Sequence, residues 1–235
     1  MTRKNKFSIR TFAGLLVAAF CWSAVADDHL PPVTEDGLIL IPSKNVAAVY
    51  WREGATLAPY DQVILMDAMV AFRKDWQREH NQRAATSAQR ITAADMDRIK
   101  SALADAFRQE FTLALGQGGF DVVSNSGNNV MVIRPAIVDL DIVAPNSGTA
   151  GRTRSFTTTA GSMTLVMELF DSVTGAKIGQ VFDAQAARDS GMFVVSNNVT
   201  NTAEARRIMN RWATLLVAAL QEAHGRDTAS DDDES

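Results

Sequence analysis

The chain has 235 residues, a formal net charge of −4, 46% hydrophobic residues and a single cysteine. That hydrophobic share excludes a wholly disordered chain, and the length suffices for one core without disulfides or a metal. No stretch of the body reaches the ~20 apolar residues that a membrane-spanning helix needs.

The first thirty residues read as a secretory signal. Arg3, Lys4, Lys6 and Arg10 are followed by an apolar run from Phe12 to Trp22 and then by Ala24-Val25-Ala26. Basic, apolar and small-residue regions in that order place a cleavage between Ala26 and Asp27. A lipoprotein signal puts a small residue before the lipidated cysteine and usually a leucine three before it. Phe20 and Ala18 stand there instead, so Cys21 is expected to leave with residues 1–26. The mature chain then has no cysteine, which removes disulfides, thiol nucleophiles and thiolate metal sites. Cleavage takes four basic residues and no acid, leaving 19 basic against 27 acidic side chains, a net −8. Such a chain lacks the clustered Lys and Arg that nucleic acid or anionic lipid requires. The expected location is the periplasm or the medium, as a soluble protein.

Residues 27–37, with Pro31-Pro32, read as a flexible leader. Val46–Trp51 and Gln62–Phe72 are rich in strand formers, and Gly54 and Pro59 punctuate the loop between them. Residues 73–91 are charged and polar and predict a surface excursion. Thr92-Ala-Ala-Asp95 is a helix-capping signal, and Met96, Ile99, Leu103, Phe107 and Phe111 recur at helical spacing behind it. Gly116, Gly118 and Gly119 end that helix.

Four strands follow: Phe120–Val123, Val130–Val143, a segment around Met163–Leu169, and Lys177–Ala187. The third alternates Met163, Leu165, Met167 and Leu169 with Thr164, Val166 and Glu168, one face buried and one wet. Asp171–Gly175 turns it into the fourth, the strongest hairpin in the sequence. A last helix begins near Asn201 or Thr202, with Ala205, Ile208, Trp212, Leu215, Leu216 and Ala219 as its buried stripe. The order predicts an α+β fold: a largely antiparallel sheet with two main helices on one face, forming a single domain over residues 38–224. Residues 225–235, with five acids, read as a disordered tail.

Catalytic signatures are missing. His29, His80 and His224 are isolated, and the sequence has no HExxH motif, no nucleophile elbow and no phosphate loop. Gly116–Gly119 follows a helix rather than opening one, so it reads as a cap. The carboxylates Asp139, Asp141, Glu168 and Asp183 sit on strands that can neighbour one another. Asp139 and Asp141, two apart, would share a face and could hold a divalent cation or do acid–base work, against the blander reading of a solvated face. Tyr50, Trp51, Tyr60, Phe72 and Trp76 could line a ligand groove, but the favoured assignment puts Trp51 and Phe72 in the core and leaves Tyr60 and Trp76 partly exposed. Met192, Phe193, Val194 and Val195 stand together in a loop, either tucked under the sheet or forming a contact surface.

The run Tyr60–Val70, the helix with Phe107 and Phe111, the Phe170–Gly175 turn and Trp212–Leu216 together resemble DUF3313, an uncharacterised family of exported bacterial proteins often predicted to be lipoproteins. The likeness spans about residues 38–224. The family brings no catalytic residues to carry over, and Phe20-Cys21 departs from its lipoprotein pattern. The hairpin and helices also resemble envelope modules of the curli-secretion and penicillin-binding-protein-activator kind, at the level of fold only. The expectation is a non-catalytic interaction module without cofactor, whose partners are envelope proteins. The alternatives are a periplasmic small-molecule carrier and a carboxylate-based, cation-dependent enzyme.

Overall fold

The computed structural model describes residues 30–142, 161–186 and 198–231. The Ala26–Asp27 cleavage point, the loop residues Met192–Val195 and residues 232–235 lie outside the described residues. In chain order the elements are β1 (Ile39–Ile41), β2 (Ala48–Trp51), β3 (Gln62–Leu65), β4 (Met69–Phe72), α1 (Trp76–Arg83), a 3-10 turn (Ser87–Gln89), α2 (Ala93–Gln117), β5 (Asp121–Val122), β6 (Val130–Asp141), β7 (Ser162–Asp171), β8 (Lys177–Ala186) and α3 (Asn198–Asp231). The fold is α+β, as the order of segments predicts.

One sheet runs β1-β2-β8-β7-β6-β3-β5, with β4 beside β6 beyond the end of β3. From β1 to β6 every pairing is antiparallel. The β3, β4 and β5 flank is parallel, which the sequence reading did not foresee. The cause is the α2 crossover, since a helix between strands returns the chain in the same direction. The expected strand Gln62–Phe72 is two strands. Leu65 pairs with Ile133 and Met69 with Ala136, four steps on one chain against three on the other. The extra residue throws Asp67 outward, where Arg108 of α2 holds it.

Alternation along β6 and β7 sets the layers. Met131, Ile133 and Ile137, with Met163, Leu165, Met167 and Leu169, pack with α2 and α3 in one core. Thr92 and Asp95 cap α2 reciprocally, the Thr92 hydroxyl accepting from Asp95 N at 3.2 Å and the carboxylate accepting from Thr92 N at 2.9 Å. Phe107 and Phe111 stack at 3.9 Å inside the core. Gly119, at φ 90°, takes the left-handed turn that stops α2. α3 runs in the same direction as α2, with Arg206 on Glu110 at 2.8 Å and Val217 against Gly118. Its buried stripe is Ala205, Ile208, Met209, Trp212, Ala213, Leu216 and Leu220. Leu215 is half-buried and Ala219 exposed, so the true stripe is slightly rotated from the expected one.

The polar excursion 73–91 contains α1, and its single aromatic is an anchor. Trp76 is buried, stacks on Phe72 at 4.4 Å and donates its Nε1–H to Ile142 O at 3.1 Å. Tyr60 is also buried, while Trp51 and Phe72 are half-buried, the reverse of the expected assignment. Trp51 lies across Gly179, where a Cβ would come within 2.3 Å of its ring.

Asp183, on the core face of β8, is the buried carboxylate of the described residues, 3% exposed. Its Oδ2 accepts from Trp212 Nε1 at 2.7 Å, Gln185 Nε2 at 2.8 Å and Arg211 at 2.9 Å, and its Oδ1 accepts from Ala47 N at 3.1 Å. Arg211 also reaches Asn45 O at 2.6 Å. The group thereby ties β8, α3 and the β1–β2 connection together. Asp183→Ala removes the acceptor from four donors and leaves Arg211 and the buried Trp212 N–H without it, so we predict a loss of about 3 kcal/mol, in the range for breaking a buried pair. For a domain of this size that lowers Tm by roughly 6–12 °C in a thermal melt. An unchanged Tm would contradict the assigned role.

A second lock predicts pH behaviour. Asp171 opens the β7–β8 turn and accepts from Thr174 N at 2.7 Å, Thr174 Oγ1 at 2.7 Å, Val173 N at 3.1 Å and the Tyr60 hydroxyl at 3.0 Å. The Thr174 contacts hold its carboxyl below the ordinary 3.8. Burial, then the hydrogen bond to Asp171, pushes Tyr60 up to about 12. A depressed carboxyl stabilises the fold above its ordinary value and loses that as pH falls through the folded value. A raised phenol stabilises below pH 10 and loses that as pH climbs toward 12. In urea titrations across pH, Tyr60→Phe is therefore expected to flatten the alkaline decline while leaving an acid decline in place.

Candidate functional site

The two helices cover one face of the sheet, so the other face presents the alternate residues of β6, β7 and β8. Its centre is a cross-strand row in continuous register: Met69 opposite Ala136, Ala136 opposite Val166, Val166 opposite Phe182, and Phe182 opposite Ala48. Cross-strand neighbours stand about 5 Å apart, which makes the row one apolar strip across five strands. One end is closed: Leu38, Ala48 and Tyr50 form a small second core against Leu40 and Phe182, and Tyr50 meets Phe182 edge-on at 6.0 Å. The Tyr50 hydroxyl donates to Pro31 O at 3.0 Å, which fixes the leader over that end. Toward β4 the strip opens. Ala136 and Val166 are half-buried, and Met69 is 67% exposed.

An ionic ladder borders the strip. Glu168 accepts from Arg134 Nε at 2.7 Å and pairs with Lys177 at 2.8 Å, and Lys177 also pairs with Asp36 of the leader. Burial opposes the charge of Lys177, but the hydrogen bonds to Asp36 and Glu168 outweigh it and hold the ammonium above its ordinary pKa. Arg134 lies 4.9 Å and Lys177 5.8 Å from the Phe170 ring centre, each in cation–π contact with it. The face thus has an apolar centre and a fixed polar margin, the anatomy of a contact surface.

The four carboxylates named from sequence do not meet. Asp183 points to the core and Glu168 to the opposite face. Asp141 accepts from Arg73 at 2.9 Å at the end of β6. Asp139 takes a left-handed φ of 51° at an irregularity between Val138 and Asp141, which breaks the alternation that would have put it beside Asp141. Each of Asp141, Glu168 and Asp183 answers a different cation, and among the described residues no group of three or more His, Cys, Asp or Glu could hold a metal. The five aromatics named as a groove do not share one: Tyr50 lies in the second core, while Phe72 and Trp76 stay together, stacked beside Ile91 and lining one cavity.

The strip was missed because its members come from five separate strands. The available signal was β7, whose wet face carries Val166 and Phe170 where a plain solvent face would carry charge. Among the described residues no helix is long and apolar enough to cross a membrane.

None of the curated proteins compared matches the chain. Several solved structures are similar to it at low identity. The PelC dodecamer from Paraburkholderia phytofirmans is 13% identical, with 69% of this chain and 94% of that chain covered and a TM-score of 0.33. A minor lipoprotein from Acinetobacter baumannii is 13% identical, with 71% and 95% covered and a TM-score of 0.36. A DUF4136 family protein from Bacteroides thetaiotaomicron is 10% identical, with 76% and 100% covered and a TM-score of 0.33. The profile described as "Protein of unknown function (DUF3313)" matches residues 39–216, and the chain belongs to that family.

Proposed function

We propose that this protein is a non-catalytic interaction module of the bacterial cell envelope, exported by residues 1–26, released between Ala26 and Asp27, and acting on an envelope protein. The observation that carries the reading is the helix-free face, where Met69, Ala136, Val166 and Phe182 form one apolar row beside a fixed ionic margin. Apolar surface rimmed by polar groups is the pattern of protein contact sites. Met192, Phe193, Val194 and Val195 are proposed as a second contact element. The carboxylate enzyme has less support, since its four acids stand apart.

The test is crosslinking in intact cell envelopes with the tagged protein, followed by mass spectrometry. Val166→Glu places a charge in the middle of the row without touching the helical core. The expected result is a reproducible envelope protein that is recovered with the wild type and depleted about tenfold or more with Val166→Glu, a coupling of about 1.4 kcal/mol. Thermal melts of the two proteins verify that the fold is intact. An unchanged partner set in a folded Val166→Glu variant would remove this face from the account.

A further inference from the structure

A cavity of about 470 Å³ opens where β4, α1 and α2 meet, its wall beginning at Val70, one residue along β4 from Met69 of the apolar strip. One wall is formed by Val70, Ala71 and Phe72 of β4 and by Arg73, which follows it. β4 bonds to β6 along one edge, and among the described residues no strand pairs with its other edge. The lane on that side is filled by β5 only opposite Gln62 and Val63 of β3. Beside β4 no described strand continues that lane, and the cavity lies between Val70–Phe72 and the start of α2. An unpaired edge presents a row of N–H and C=O groups that an added strand can satisfy. Met96 and Lys100 of α2 form the facing wall, so a strand entering the lane would have one apolar and one charged contact there.

The charges lining the cavity select the strand. Arg73, Arg78 and Lys100 reach it from three different elements, and Asp75 is the one acid among the lining residues. Arg73 is fixed, with Glu79 at 3.0 Å and Asp141 at 2.9 Å. Arg78 and Lys100 are held more loosely. Their partners are Asp75 at 3.0 Å and Asp97 at 3.7 Å, each three residues away, and the Arg78 and Asp97 side chains are 63% and 77% exposed. Exposed pairs of this kind contribute about 0–1 kcal/mol, so an incoming carboxylate can take over either cation at small cost.

We infer that the free edge of β4 receives an extended acidic segment of a partner protein as an added strand, with its backbone along Val70–Phe72 and its carboxylates on Arg78 and Lys100. The inference rests on the interaction-module reading, and it supplies the partner's chemistry and a further contact, at a strand edge rather than on the helix-free face.

The experiment uses the purified protein and two fluorescein-labelled nonapeptides, one alternating threonine with glutamate and one alternating threonine with lysine. Fluorescence polarisation should show saturable binding of the glutamate peptide that weakens with added salt, and none of the lysine peptide. The double variant Arg78→Glu/Lys100→Glu should weaken binding about tenfold or more. In amide NMR spectra of the wild type, the glutamate peptide should shift Val70, Ala71 and Phe72. No saturable binding, equal binding of both peptides, full binding by the double variant, or shifts that avoid β4 would each overturn the inference. Those failures leave the reading of the helix-free face intact, because Val166→Glu tests that face independently.

Discussion

A buried carboxylate organises this molecule. Asp183 sits among apolar side chains, where an unpaired charge would cost several kcal/mol, and it is acceptable there because four donors converge on it. The donors come from separate parts of the chain. Trp212 and Arg211 belong to α3, Gln185 to β8 and Ala47 to the connection before β2. Satisfying that one group therefore fixes the rotation of α3, the depth of Trp212 over the sheet and the path of the chain into β2. Apolar burial alone is non-directional and would permit the helix to slide or turn by a residue.

Placing both long helices on one face has a consequence for the other. Strands β6, β7 and β8 alternate inward and outward residues, so a sheet covered once must leave its second side to water or to something else. Here that side is apolar at its centre, and its leader-covered end shows how such a surface is closed. Tyr50, Leu38 and Leu40 cap Phe182, while Val166 and Ala136 carry no such cover among the described residues. The ladder of Arg134, Glu168, Lys177 and Asp36 holds the margin in place. Among the described residues the outer edge of β4 is also unpaired, because β5 is only two residues long.

Much of the fold was legible in local patterns. The capping box at Thr92, the Phe107 and Phe111 stripe, the turn at Asp171–Gly175 and the alternation of β7 are all decided by neighbours in sequence, and the structure has them where the patterns put them. What was not legible depends on distant pairing. Nothing local says that β3 and β4 lie parallel to β6, because the α2 crossover determines it. Nothing local says that Asp139 turns away from Asp141, because an irregularity in the ladder with β7 does so. Trp76 was misplaced because the residues around it are mostly polar, and its burial comes from Phe72 four residues before it together with Ile91 and Ile142 from farther along the chain. The candidate surface failed to emerge for the same reason: Met69, Ala136, Val166 and Phe182 become neighbours only through register.

The central claim is that the helix face is scaffold and the opposite face is where a partner binds. The most direct measurement is in-cell photocrosslinking with benzoylphenylalanine placed at Val166, compared with the same group at Leu113 on the outer surface of α2, which is 55% exposed. The account predicts a discrete adduct with another envelope protein from position 166 and none from position 113. Adducts from position 113 alone, or none from either, would contradict it.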